Sequence, residues 1–420
     1  MVFILTAVLK IVGAVLLLLV VLFGLAVTIV PRFLDRIYYR GPVSTHFDGE
    51  RFGNPGGDED TMRPPTGGSR AGFFWRYLTK RDGRPPWPET VPVTPSKPER
   101  RVEGERMVVT WIGHATVLVQ TNGLNILTDP IWSDRTGPFG RGPKRVAAPG
   151  VRFEDLPKID LVLLSHNHYD HFDLPTLKRL WARDRPKIVT SLGNDTILRS
   201  NGIDSHALDW GGRMQLPAAC VLEAAAASRY SPDRTCQNRD HDARAEIIVS
   251  RVHHWGSRWF TDRNRALWSG FVVNMPAGGS IFFAGDTGFG DGQWPVEARK
   301  AALGPIRLAI LPIGAFRFMP GQMAIGSHMG PVEAVKVFDL TGATTALPVH
   351  WGTFRLSYEG YDTPPKMLAE LMRCTGADPQ RFARRGIGVS FDVPPAVEQP
   401  ALDLSRLDAC AKSEAVRALP

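Results

Sequence analysis

The 420-residue sequence predicts an α/β protein of layered sheets flanked by helices, set behind one long apolar N-terminal segment. Three observations carry that reading. Short β-rich runs recur from Met107 onward, helical patterns fall between several of them, and an uninterrupted apolar stretch opens the chain.

The apolar stretch, "IVGAVLLLLVVLFGLAVTIV" from Ile11 to Val30, has about the 20-residue length that crosses a bilayer as one helix. Residues 1–30 are therefore expected to be a transmembrane anchor. A cleaved signal peptide is the rival reading, but its apolar region is usually shorter and no small-residue cleavage site follows Val30. Charge does not orient the span: Lys10 on one side opposes Arg32, Arg36 and Arg40, offset by Asp35, on the other. The expected location is the cell membrane with a single-pass anchor, its side undecided.

Residues 31–105 are rich in Gly, Pro and charge and poor in periodic apolar positions, which predicts a linker, packed in part through "FFWRYL" on the body that follows. The main α/β domain is expected over 106–395, with a C-terminal tail over 396–420. It opens as a strand meander, "MVVTWI", "TVLVQ" and "LNILTD", split by Gly113 and by a turn at Asn122-Gly123. Further strands are predicted at "DLVLLS", "KIVTS", "EIIVSRV", "SGFVVNM", "SIFFAGD", "LAILPIG" and "TALPVH". Helical periodicity marks "PTLKRLWARD", "GPVEAVKVFDL" and "PPKMLAELMRC".

Hydrophobic residues at 43%, charged residues at 22% and a net charge of +8 describe a basic globular protein that favours anionic surroundings. No dense Lys/Arg run with interleaved aromatics is present, so a phospholipid surface is the expected partner and nucleic acid is not. Among the four cysteines, Cys220 and Cys236 bracket the insertion "VLEAAAASRYSPDRT", which hints at an oxidising compartment, and unpaired thiols in a reducing one fit equally well. No C-x-x-C pair occurs, so neither redox catalysis nor a thiolate zinc site is indicated. Oligomeric state and the pairing of Cys374 and Cys410 are not legible.

Chemistry concentrates in "LVLLSHNHYDHFDLPTL". Side chains two apart on an extended chain face one way, so His166 and His168 aim at one point while Asn167 faces away. Two imidazoles so aimed suit a metal. Asp170 and His171 follow as an offset second pair, one pair per ion, before a helix with Asp173 as N-cap and Pro175 in its first turn. Later strands end in ligand-type residues too: Asp286 in "FFAGDTG", His350 in "ALPVHWGT", and the His253-His254 doublet after "EIIVSRV". Singly, each has an ordinary reading as a turn, core or surface residue; their joint presence points to a metal site.

These residues resemble the metallo-β-lactamase superfamily, whose H-x-H-x-D-H signature falls on His166, His168, Asp170 and His171. The ordered segments "VTWIGHATVLVQ", "TDPIWSDRTGPFGRGPKR", "FFAGDTGFG", "PIGAF", "SHMGPVEAVKVF" and "PVHWGTF" resemble the branch of N-acyl-phosphatidylethanolamine-hydrolysing phospholipase D and its bacterial relatives. The likeness runs from Met107 to Phe391, with a weaker echo at "HFDGERFGNP". It implies a four-layer αββα sandwich with two divalent cations at the rim between the sheets. One would be held by His166, His168 and His254, the other by Asp170, His171 and His350, with Asp286 bridging. His254 is preferred to His253 because the family's ligand precedes an aromatic residue, here Trp255. His328 would contact substrate, although Gly330 and Val332 replace the family's acidic residues beside it. Asp129 and His114 match as supports of the metal loops.

The donors are nitrogen and oxygen without thiolate, which suits zinc and also accepts manganese or iron. The expected reaction is hydrolysis of a phospholipid phosphodiester on the head-group side, by hydroxide bridging the cations, with Asp170 handling the proton and His328 the departing group. Hydrolysis of a soluble ester, lactone or cyclic phosphodiester is the alternative enzyme reading. A metal-binding membrane protein without turnover is a third, disfavoured because every ligand position is filled. Gly113, Trp132, Trp255 and Phe316 are candidates for the floor of a lipid groove, or simple packing.

Overall fold

The computed structural model describes residues 2–28, 37–56, 72, 75–76, 79, 81, 83–216, 245–259, 261–318 and 325–420. Cys220, Cys236 and their bracketed insertion lie outside the described residues.

Helix α1 (Val2–Thr28) covers the predicted apolar segment as far as Thr28 and starts earlier; Ile29 and Val30 lie outside the described residues. Its stretch Ile4–Thr28 has a mean hydropathy of 3.0 and none of it is buried in the protein. At about 1.5 Å per residue that stretch is about 37 Å long, against about 30 Å of bilayer hydrocarbon. Length and composition thus permit a membrane span.

Two mixed sheets form the body. The first has seven strands in the order β13-β1-β2-β3-β4-β5-β6: β1 (Val108–Gly113), β2 (Thr116–Thr121), β3 (Leu124–Thr128), β4 (Leu161–Leu164), β5 (Lys187–Ser191), β6 (His206–Leu208) and β13 (Ser390–Asp392). The second has six, in the order β12-β11-β10-β9-β8-β7: β7 (Arg213–Leu216), β8 (Ala245–Ser250), β9 (Gly270–Asn274), β10 (Ser280–Phe283), β11 (Ile306–Pro312) and β12 (Thr345–Val349). The predicted turn joins β2 to β3, with positive φ at both Asn122 (49°) and Gly123 (67°), the signature of a two-residue type I′ hairpin. Each sequence-predicted strand is present. Strands β6, β7 and β13 were not expected; all are short, lie at sheet edges and carry exposed residues, so no apolar alternation marks them.

The first sheet is apolar on both faces, and residue alternation divides them. Val117, Val119, Ile126, Leu161 and Leu163 join the core shared with the second sheet. Their neighbours Leu118, Leu127, Val162 and Leu164 pack instead against Leu177 and Leu180 of α2 (Leu174–Asp184) and Ile197 and Leu198 of α3 (Asn194–Arg199). Helices α4 (Trp294–Ala301), α5 (Pro331–Thr341) and α6 (Thr363–Cys374) add Trp294, Phe338 and Leu368 to the second sheet's core.

Asp173 occupies the predicted N-cap position of α2, but its carboxylate does not cap the helix. It accepts from the backbone N–H groups of Trp132 (3.3 Å) and Ser133 (3.1 Å) and from the Thr176 hydroxyl (2.6 Å), so the loop after β3 outcompetes the helix end.

Among the described residues of the predicted linker, Phe47, Phe52 and Val102 are buried, and the two phenylalanines lie inside the main core. Trp75 of "FFWRYL" is 68% exposed, and the rest of that motif except Arg76 lies outside the described residues. Burying one such phenylalanine contributes roughly 2 kcal/mol, which fastens residues 44–54 as a strap. Within 396–420, α7 (Leu407–Ala411) and α8 (Glu414–Arg417) bury Leu407, Cys410 and Val416, and Cys410 is disulfide-bonded to Cys374 at the end of α6.

Candidate metal centre

The sequence delivers ligand-type side chains immediately beyond strand ends, and the topology gathers those ends along one rim. His166, His168, Asp170 and His171 follow β4; His254 follows β8; Asp286 follows β10; and His350 follows β12. The two sheets meet here through Ser269, whose N–H donates to the Ser165 carbonyl at 3.0 Å. Gly285, at φ 62°, makes the approach possible: a Cβ there would lie 2.6 Å from Ser165 Cβ.

The first cluster is all imidazole. His168 Nδ1 lies 2.8 Å from His166 Nε2 and 3.3 Å from His254 Nε2. Burial pushes all three toward the neutral, lone-pair-bearing form: His168 falls to about 3, and His166 and His254 fall well below their ordinary value. Three neutral nitrogens so close repel unless something electropositive sits among them.

The second cluster mixes charges. Asp286 Oδ2 lies 3.0 Å from His171 Nε2 and 2.9 Å from His350 Nε2, while Asp170 Oδ2 stands 3.5 and 3.6 Å from the same two nitrogens. Burial opposes charge on both histidines, but the Asp286 and Asp170 carboxylates outweigh it, raising His350 to about 9 and His171 well above its ordinary value. Both Nε2 atoms and Asp286 Oδ1 are buried without the geometry of a hydrogen bond. Two imidazoles and two carboxylates converging in a water-poor rim without mutual hydrogen bonds fit a cation better than each other. His166, His168 and His254 form one group able to hold a metal ion; Asp170, His171 and His350 form another together with His114.

Partners behind the clusters set their orientation. Asp129, fully buried and at φ 30°, accepts from His171 Nδ1 (2.7 Å) and from Ser165 Oγ (2.5 Å), and Ser165 Oγ also meets His166 Nδ1 at 2.8 Å. One carboxylate thereby orients a histidine of each cluster. His114 Nε2 lies 2.9 Å from Asp170 Oδ2, and the His114 carbonyl accepts from the His350 N–H at 3.1 Å. His254 Nδ1 lies 2.8 Å from the Ser327 carbonyl. Positive φ at His114 (53°), Asp129 and His350 (64°) concentrates backbone strain at this rim.

Within the doublet, His254 joins the cluster while His253 pairs by its backbone with Gly288 and sets its ring against Gly290. His328 stands at the edge of the site, its Nδ1 3.8 Å from Asp286 Oδ2 and its ring stacked 5.5 Å from His350. Gly330 beside it admits the Phe316 ring, which a Cβ would meet at 2.7 Å. Of the proposed floor residues, Trp255 lies 4.2 Å from His168 and faces the site, whereas Trp132 packs edge-on to Phe153 in the outer core.

Ser165 and Asn54 were missed. Ser165 carried a faint signal, standing directly before His166. Asn54 lay within the "HFDGERFGNP" echo, but nothing there pointed to its partner 200 residues away, where its side chain bonds the backbone of His254.

Residues 124–351 match the family described as a beta-lactamase superfamily domain. N-acyl-phosphatidylethanolamine-hydrolyzing phospholipase D 1 of Caenorhabditis elegans is 34% identical over 275 residues, covering 63% of this chain and 70% of its own. An uncharacterized protein of Mycobacterium tuberculosis is 32% identical over 304 residues, covering 70% and 72%. The mitochondrial N-acyl-phosphatidylethanolamine-hydrolyzing phospholipase D of Saccharomyces cerevisiae is 32% identical over 276 residues, covering 65% and 54%.

Proposed function

The chain belongs to the beta-lactamase superfamily, in the branch that holds the C. elegans phospholipase, and from that premise we propose that it is a metal-dependent hydrolase of phospholipid phosphodiesters. The observation that carries this is the convergence of His166, His168, His254, Asp170, His171, His350 and Asp286, drawn from both sheets, on one buried rim. Named relatives that hydrolyse N-acyl-phosphatidylethanolamine support the substrate class.

In this reading His166, His168 and His254 would hold one divalent cation and Asp170, His171 and His350 a second, with Asp286 within reach as a further ligand. Zinc suits the nitrogen and oxygen donors, and manganese or iron would fit as well. Bound there, the pair would supply Lewis acidity toward phosphoryl oxygens and a water acidic enough to ionise near neutrality. The protein's own groups do the rest. Asp170, held by His114, orients the attacking water and takes its proton for return to the departing oxygen; His328, which burial keeps neutral, steadies that oxygen by donating an N–H hydrogen bond; the dry rim strengthens each of these contacts. Products would be phosphatidic acid and an N-acylethanolamine or similar alcohol.

The body over 106–395 is read as a four-layer αββα catalytic domain, supported by the separate cores on the two faces of the first sheet. Residues 1–30 are read as the anchor, 31–105 as a partly packed linker and 396–420 as a C-terminal extension, with the bilayer as both surface and substrate source. A lipid-product assay tests the reading. N-acylated phosphatidylethanolamine should give phosphatidic acid in a metal-dependent reaction, and turnover of a lactone or simple diester alone would move the substrate class elsewhere.

A further inference from the structure

The strap over residues 44–54 leads from the anchor side of the chain into the metal rim. Its last fastening differs in kind from the others. Arg51 donates to the Thr261 carbonyl at 3.1 Å and to the Arg263 carbonyl, and the Phe52 N–H donates to the Asn264 carbonyl at 2.7 Å. These hold the loop that runs from His254 toward β9. Asn54 instead grips His254 itself: its Nδ2 donates to the His254 carbonyl at 2.8 Å, and its Oδ1 accepts from the His254 N–H at 3.2 Å and from Trp268 Nε1 at 3.1 Å.

A side-chain amide that bonds both the N–H and the C=O of one residue does what a neighbouring β-strand does. His254 lies beyond the end of β8, where the strand ladder has stopped. Its ring is set by the Ser327 carbonyl at Nδ1, so backbone and ring are each held from a different segment, and Nε2 is left aimed at His168. We propose that Asn54 is a positioning residue for His254, making the strap a working part of the three-imidazole cluster rather than a tether. This rests on the metal-centre reading above. The cost of a loosened ligand is paid in cation affinity, because a ring that must be ordered on binding binds more weakly.

The test uses the full-length protein, zinc as the probe, and a chromophoric chelator as competitor. Asn54→Ala should weaken one of two zinc equivalents by about 10–100-fold and leave the other within about two-fold. Asn54→Asp keeps the acceptor for His254 N–H and Trp268 but sets a carboxylate against the His254 carbonyl, so it should weaken the same equivalent. In metal-stripped protein, amide exchange over residues 252–256 should accelerate by about 10-fold in Asn54→Ala while β9 and β10 stay protected. Arg51→Ala, which loosens the strap without touching His254, should lower the thermal midpoint yet keep both zinc affinities.

Zinc affinities unchanged in Asn54→Ala would overturn the proposal, as would an equal loss in Arg51→Ala, which would mean the strap acts only as bulk support. If Asn54→Ala does not fold, Asn54→Asp decides by the same criterion. Failure of the wild-type protein to take up two equivalents would instead strike the metal-centre reading.

Discussion

Asp129 Oδ2 accepts from His171 Nδ1 at 2.7 Å, inside the protein and out of reach of solvent. That bond turns His171 Nε2 toward Asp286 and fixes the ring's tautomer. Asp129→Asn removes the charge and sets an amide N–H against the donors of Ser165 and His171. Zinc affinity should fall about 10–100-fold, with turnover falling in parallel. Unchanged affinity in a chelator competition would show that Asp129 serves folding alone.

The doublet separates cleanly. His254→Ala should lose about one cation per chain, because His254 Nε2 faces His168, whereas His253→Ala should keep the full complement, because the His253 ring rests against Gly290. Metal analysis after gel filtration measures both. Loss of metal from the His253 variant would reverse the assignment.

Proton release should accompany metal loading. Against the opposing effect of burial, Asp286 and Asp170 raise His350 to about 9 and raise His171 as well, so at about pH 7 both rings carry protons that a cation must displace. Zinc added to weakly buffered, metal-stripped protein should therefore acidify the solution at about pH 7, and less so near pH 10. The stability sign follows from the same shift. A folded-state value raised above the ordinary 6.5 stabilises the stripped protein fully below that pH, and the contribution disappears as pH climbs through about 9. Thermal midpoints of the stripped wild type should decline over that window more steeply than those of His350→Gln.

Removing residues 1–30 should leave the folded body intact, since none of the apolar stretch of α1 is buried in it. Hydrolysis of a short-chain soluble diester should stay within about two-fold, while turnover of the long-chain lipid in vesicles should drop by about 10-fold or more through lost effective concentration. Equal loss on both substrates would remove the anchor from the argument.

Much of this site is legible in the sequence because metal chemistry needs few residue types at strand ends. His166 and His168 alternate as extended chain must, Asp286 and His350 each close an apolar run, and Asn167 turns away toward Gly256 as the spacing requires. What stayed hidden depends on pairings between distant segments. Asn54 meets His254 across 200 residues, and Asp173 leaves its own helix for Trp132 and Ser133, so no local pattern encodes either choice. Edge strands β6 and β13 escaped for a related reason: one partner and little burial leave no periodicity to read.

The rim draws His166, His168, Asp170 and His171 from one sheet and His254, Asp286 and His350 from the other, with Gly285 closing the seam. Ions seated there would rivet the two halves of the fold together. Occupancy and mechanical integrity then become linked equilibria, so a chelator would leave the protein folded but less stable, with the seam opening more often to proteases than in the loaded form.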